Sequence, residues 1–313
     1  MKKTNDVSES AAFSGNSLLS KLNRYKWIYL LFLPLFAFAF IFNYMPMYGI
    51  QIAFKDFRPI DGIWGSKWAG MKYYIRMFLE PTFLRVFRNT LVISFLKVGI
   101  VFPAGILFAI LLNEIAAPIA KRVYQTISYL PHFLSWIVLA GIIRDLAAID
   151  GPINFIMENL FGATPQVFLS NSKAFVPILV MSDLWQTMGW NSIIYLAAIT
   201  GISKELYESA DIDGAGRIQK IISITLPSIA PVILIMFILR LGGVMNAGFD
   251  QILNLYNPMV YGVADIIDTY VYRVGLMQMN FSYSTAIGLF KNVIGLLLVL
   301  TTNFMARRME GAI

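Results

Sequence analysis

Six stretches of the chain are almost wholly apolar for the length a bilayer demands, and polar segments rich in Gly, Pro or charge separate them. A helix needs about 20 such residues to cross. The pattern predicts spans at Trp27–Tyr48, Phe87–Glu114, Val123–Ile143, Ala174–Ile202, Leu226–Asn246 and Tyr283–Met305. Pro131 and His132 interrupt the third, which predicts a kinked helix packed inside the bundle, where neighbours satisfy the freed backbone groups. The expected fold is an all-α integral membrane protein with six transmembrane helices. It is organised as an N-terminal segment 1–26, a first helix 27–48, a segment 49–86, a five-helix core 87–305 and a tail 306–313.

One polar segment is patterned differently from an ordinary connection. From Lys204 to Pro227 the chain reads KELYESADIDGAGRIQKIISITLP, inside a loop spanning 203–227. Leu206, Ala210 and Asp213 share one stripe of a short helix, Gly214 suits the left-handed geometry that ends it, and Ile218, Ile221 and Ile222 form the apolar face of a second short helix. A helix–turn–helix lying along the membrane surface is expected. Pro227 then suits the first turn of the next span, where its missing N–H costs nothing.

Composition agrees with the pattern: 58% of the 313 residues are hydrophobic and 14% charged, far from the balance of a soluble domain. The net charge of +7 does not indicate nucleic acid, because the basic residues gather near span ends. Lys2, Lys3, Lys21, Arg24 and Lys26 precede the first span, Lys121 and Arg122 follow the second, Lys204, Arg217 and Lys220 lie in the patterned loop, and Arg307 and Arg308 follow the last. All fall on one side, so both termini are expected in the cytoplasm. The segment Gln51 to Arg88, with seven basic residues, dissents and is placed outside. Residues 1 to 20, rich in Ser and Asn, read as disordered or loosely held on the membrane surface. The first apolar stretch is too long for a signal core and has no small-residue cleavage site behind it, so it is expected to remain as an anchor.

Several chemistries are excluded. Without cysteine there are no disulfides, thiolate metal sites or Cys nucleophile, and the single His132 cannot by itself build a His-cluster metal site. Gly nowhere precedes Lys, so the chain has no G-x-x-x-x-G-K-[ST] phosphate loop. ATP and Mg therefore belong to a separate ATPase subunit if transport is uphill, and no cofactor is expected on this chain.

The patterned loop resembles the signature of bacterial ABC-importer permeases, E-A-A, three residues, G, nine residues, I-x-L-P. Here it stands as Glu208, Ser209, Ala210, Gly214, Ile224, Leu226 and Pro227, with Ser209 in place of the usual Ala. A second stretch, KWAGMKYYIRMFLEPTFLRVFRNTL from Lys67, is similar to the outer segment and second-helix start of the carbohydrate-uptake permeases. Over residues 67 to 305 the chain resembles the maltose and glycerol-phosphate permease group, and within it the polysaccharide or lipoprotein-type sugar permeases. The resemblance implies a type I ABC importer permease fold in a bacterial cytoplasmic membrane and alternating access. The implied partners are a second similar permease, two copies of an ATPase docked on the 203–227 loop, and an extracellular sugar-binding protein.

Polar groups at membrane depth mark a pathway by default. In the fourth span Asp183, Gln186, Trp190 and Asn191 follow helical spacing on one face, and an indole that stacks on sugar rings beside groups that take hydroxyls suits an oligosaccharide. By the resemblance, Asp183, Gln186 and Trp190 coincide with sugar-contacting positions of the maltose permease. Asn246, with Gly242, Gly243 and Ala247, sits where the family's fifth-helix contacts lie, although Gly243 and Ala247 replace larger groups. The plainer reading is that Trp190 packs in the bundle and Asp183 pairs with a neighbour. Arg240 lies about 20 Å along the fifth helix from Pro227, at ~1.5 Å per residue, too deep to reach the surface. An Arg240–Asp183 ion pair is the preferred reading, and capture of a carboxylate on an acidic sugar the sharper one. Lys291 and Asn292 either line the same cavity or, the favoured reading, face the partner permease.

Other classes are less well supported. A secondary transporter would show inverted repeats and broken midplane helices, and a membrane-embedded enzyme would need clustered acidic, His or Cys groups. An importer permease for a non-sugar solute is the runner-up within the same class.

Overall fold

The computed structural model describes residues 25–310; the expectation for residues 1 to 20 lies outside them. Two units are distinguished, Met1–Gln51 and Ile52–Ile313. The first holds α1 (Lys26–Ala39), which continues through a π turn at Phe40–Tyr44 into a 3-10 stretch at Met45–Phe54. No residue of Lys26–Tyr44 is buried, and a helix apolar on every side fits hydrocarbon all round. The helical run passes the expected end at Tyr48.

In the second unit a short hairpin, β1 (Lys55–Asp56) against β2 (Lys67–Trp68), pairs Lys55 with Trp68 and Asp56 with Lys67. Lys72 Nζ and Tyr73 OH donate to Asp56 Oδ1 at 2.7 and 2.6 Å, and these bonds hold the Asp56 carboxyl below its ordinary pKa. The main chain then runs α2 (Lys72–Leu79), α3 (Pro81–Asn113), α4 (Pro118–Tyr129), α5 (Trp136–Leu146), α6 (Pro152–Phe161), α7 (Ser172–Thr200), α8 (Lys204–Ile212), α9 (Arg217–Lys220), α10 (Leu226–Gly242), α11 (Phe249–Leu255), α12 (Ile267–Tyr272) and α13 (Phe281–Glu310). Among the described residues four helical runs are long and apolar enough to cross a membrane: Lys26–Phe54, Pro81–Asn113, Arg217–Gly242 and Phe281–Phe304. A fifth joins them if α4 and α5 count as one broken span. α7, with 29 residues, has the length, but Asp183, Gln186, Thr187 and Asn191 dilute its apolar run.

Three expectations are corrected. The third span is not a kinked helix inside the bundle: its halves meet at 104°, and α4 has no buried residue. Pro131 stops the first half and Leu134 turns extended, while Ser135 caps α5 through its hydroxyl. The fifth span begins at Arg217, not Leu226, because α9 runs on through a π turn at Ile221–Thr225 into α10. Pro227 would clash with the carbonyl four residues back in a regular helix, and the wider π turn lies just before it. The second short helix of the expected helix–turn–helix is thus the foot of the span. Asn246, finally, lies past the end of α10, in the turn after Gly242.

α3 and α7 form the central pair. Gly105 lets them meet closely, since a Cβ there would sit 3.1 Å from the Asn191 Cβ, the small-residue contact that membrane helices use in place of hydrophobic drive. Ile106, Ala109, Leu112, Tyr195, Ile199 and Ile229 close a buried cluster between α3, α7 and α10.

Candidate substrate pathway and coupling surface

The polar stripe of α7 is divided by burial. Asp183 and Gln186 are each 8% exposed, whereas Trp190, one turn on, is half open. The Gln186 amide donates to the Leu134 carbonyl at 3.4 Å, at the break between α4 and α5. There the backbone of α4 reaches α7 so closely that a Cβ at Gly189 would fall 2.2 Å from the Ser128 carbonyl oxygen. That approach sets His132 flat on Trp190, with ring centroids 4.4 Å apart and planes 8° from parallel. Phe133 meets the indole edge-on at 5.7 Å.

Asp183 is paired at both oxygens. Arg240 Nη2 lies 3.7 Å from Oδ2, the ion pair expected from their matching depth, and Lys97 Nζ, from α3, lies 3.7 Å from Oδ1. Lys97, whose side chain is 5% exposed, also donates to Gln251 Oε1. Gln251 in turn donates to the Leu179 carbonyl and to Ser182 Oγ, both at 2.8 Å, so its amide is held by α7 and points its oxygen at the ammonium. Gly248 opens the space for this. At φ +102° it takes a left-handed backbone, and a Cβ there would lie 2.6 Å from Lys97 Nζ. Lys97 and Gln251 were missed from the sequence. The signal for Lys97 was a lone cation midway along an apolar run, which by itself marks a functional position; Gln251 lies in no predicted span and carried no signal.

Lys291 does not face away from the chain, as favoured above. Its ammonium donates to Asp268 Oδ1 at 2.5 Å and to Asn246 Oδ1 at 2.6 Å. Asn246 is therefore tied to α12 and α13, and no described bond joins it to the Asp183 cluster.

At the other end of the fold α8 ends in a reciprocal cap. Gly214, at φ +76°, donates to Asp211 O at 3.1 Å, and Ala215 donates to Ala210 O at 2.9 Å, the paired bonds of a Schellman motif. Lys220 Nζ ties back to Asp211 at 2.6 Å and Tyr207 OH to Thr225 Oγ1 at 2.9 Å, so α8 is bonded to the foot of α10. Glu208, Ser209 and Pro227 are exposed and Ala210, Ile224 and Leu226 half-buried; Leu226 packs on the α3–α7 cluster. Leu206, Ile212 and Ile218 stand out at 51, 88 and 73% exposure, an apolar surface beside charged groups that suits a protein partner.

Long apolar helices around a buried charge cluster, with a capped helical projection at one end, define a membrane permease of the type I ABC importer fold. The chain matches the family described as "Binding-protein-dependent transport system inner membrane component" over residues 101–311, and it belongs to that family. It is 44% identical to the polygalacturonan/rhamnogalacturonan transport system permease protein YteP of Bacillus subtilis (strain 168), over 93% of this chain and 91% of that one. It is 41% identical to Protein LplB of the same organism, over 98% and 97%. A solved bacterial ABC transporter involved in the import of the acidic polysaccharide alginate contains a chain 38% identical, with a TM-score of 0.86, covering 93% of this chain and 98% of that one. Proteins of this family are non-catalytic permease subunits, with ATP hydrolysis on a separate subunit.

Proposed function

We propose that this chain is one permease of a pair that imports an acidic oligosaccharide by alternating access. An extracellular binding protein delivers the sugar, and two ATPase subunits that use ATP and Mg dock on the 203–227 surface. Six spans and two cytoplasmic termini complete this reading, α7 crossing with its polar face turned inward. Support comes from the relatives, whose named cargoes are polygalacturonan, rhamnogalacturonan and alginate.

The observation that carries the substrate class is a charge count. Lys97 and Arg240 share the single carboxylate of Asp183, so the cluster holds one positive charge in surplus at membrane depth, where an unbalanced charge is costly. Arg240 keeps 41% of its side chain exposed and no described contact shorter than its 3.7 Å pairing. A sugar carboxylate entering the cavity supplies the missing negative charge, and a planar guanidinium is suited to grip it. This makes the ion pair and the carboxylate capture parts of one device rather than rivals.

The test is uptake into vesicles holding the complete transporter, with an oligouronate and its carboxyl-reduced, neutral counterpart. Arg240→Gln is expected to cut oligouronate uptake about tenfold or more, a loss of ~1.4 kcal/mol, while the neutral sugar passes as before. Equal losses for both sugars, or a parent preference for the neutral one, would reject the acidic-substrate reading.

A further inference from the structure

A cleft of about 500 Å³ lies between the turn after α10, α12 and the first half of α13, lined by Asn246, Phe249, Asp268, Tyr272, Phe281 and Lys291 among others. Its lining combines aromatic rings with polar groups. Phe249 and Tyr272 meet at 5.9 Å with planes 58° apart. Phe281 opens α13, and Lys291, ten residues on, lies ~15 Å further along it at ~1.5 Å per residue. At that deeper end the Asp268–Lys291–Asn246 cluster sits with the Lys291 side chain 12% exposed.

The cluster has hydrogen-bonding capacity left over. The ammonium has three protons, two of which go to Asp268 Oδ1 and Asn246 Oδ1. Among the described residues, Asp268 Oδ2 and the Asn246 amide nitrogen have no partner. One acceptor and two kinds of donor therefore converge in a cleft that the rings also line. The charges within it cancel, in contrast to the surplus at Asp183, so the cleft is built for hydroxyls rather than for an anion.

We propose that this cleft is a second saccharide subsite, in which a pyranose ring of the incoming chain lies against Phe249 and Tyr272 and exchanges hydroxyl hydrogen bonds with Asp268, Asn246 and Lys291. The inference rests on the reading of the chain as an oligosaccharide permease. Apolar sugar faces stack on aromatic rings, and a few convergent polar groups fix orientation in such sites. It makes the permease sensitive to chain length, because a short sugar held at Arg240 leaves the cleft unfilled.

The experiment measures half-saturating concentrations for uptake of di- and hexauronates, and of their carboxyl-reduced forms, by the complete reconstituted transporter. Phe249→Leu, which keeps apolar bulk but removes the flat ring, is expected to raise the value for both hexasaccharides at least fivefold and for the disaccharides less than twofold. The paired change Asp268→Asn with Lys291→Gln, neutral like the parent, is expected to do the same. Equal shifts at both lengths, or no shift in either variant, would overturn the subsite. Failure of the acidic reading shows separately, as equal losses of uronate and carboxyl-reduced sugar uptake in Arg240→Gln. A parent transporter that moves no sugar at all would overturn both.

Discussion

Lys97 and Arg240 approach one carboxylate from two different helices, each 3.7 Å from a different oxygen of Asp183. The arrangement joins α3, α7 and the fifth span through charge. It also makes the three residues non-equivalent: Lys97 is nearly enclosed, while Arg240 keeps 41% of its side chain exposed.

Removing the shared partner should therefore be worse than removing either cation. Asp183→Asn leaves the enclosed Lys97 ammonium without its counter-charge, and breaking a buried pair costs about 3–5 kcal/mol. The yield of assembled complex should fall steeply, and Asp183→Asn combined with Lys97→Met should recover most of it. Size-exclusion yield in detergent checks this; a normal yield for Asp183→Asn alone would show that the carboxylate does not balance Lys97.

Gly248 holds the same cluster together sterically. Gly248→Ala combines a left-handed residue with a Cβ 2.6 Å from Lys97 Nζ, and strained backbone of this kind costs about 1–3 kcal/mol. Thermal unfolding of the purified complex should shift down by several degrees. Lys97→Ala in the same chain removes the nearest contact but leaves Gln251 Oε1 at 3.2 Å and the backbone strain, so recovery should be partial; full recovery would mean that neither carries a cost.

The motif and its cap were legible because they depend on local chemistry: Gly214 ends α8 by backbone freedom alone, at a spacing the neighbouring residues fix. The Asp183–Arg240 pair was legible from depth, which is counted along two helices. What escaped was set by the approach of distant segments. Gln251 reaches Lys97 because Gly248 turns the chain after α10, and at the 104° break the Leu134 carbonyl meets the Gln186 amide of a distant helix. The long spanning helices were legible as apolar runs, but their ends were not, since π and 3-10 turns at Phe40–Tyr44, Met45–Phe54 and Ile221–Thr225 let helices run past the polar residues that mark an end.

Coupling should fail at Gly214 without loss of the fold. Gly214→Pro imposes φ near −65° where the backbone has +76°, and it removes the N–H bonded to Asp211. Nothing lies within 4 Å of the added Cβ position, so the damage stays in the cap. Uptake should be abolished while the membrane complex still receives substrate from its binding protein. Parental uptake with parental substrate-stimulated ATP hydrolysis would detach this turn from coupling.

Orientation has a direct readout in this Cys-free chain. Single cysteines at Ile119 and Ile212, 80 and 88% exposed, should be shielded from impermeant reagent in intact cells, and those at Ile60 and Met259, 99 and 75% exposed, should react. Reaction of the Ile212 replacement from outside would invert the topology and place the 203–227 surface on the wrong side for an ATPase.

Trp190 is the position where stacking and openness coincide. One indole face is covered by His132 at 4.4 Å, which fixes the ring plane, while 42% of the residue remains exposed, the face on which the proposed sugar would stack. Loss of an aromatic contact beyond its area is worth about 0.5–1.5 kcal/mol, and the buried area adds to it, so Trp190→Ala should raise the half-saturating substrate concentration roughly tenfold. Trp190→Phe should recover part of the loss, since a smaller flat face survives. His132→Ala leaves the indole in place but unsupported; its effect should be weaker and should vanish in the Trp190→Ala background, because both act through one ring. Basal ATP hydrolysis and assembly should match the parent in all of these. If uptake kinetics stay unchanged in Trp190→Ala and in Gln186→Ala alike, the α7 stripe is not part of the pathway and the sugar is held elsewhere in the assembled transporter.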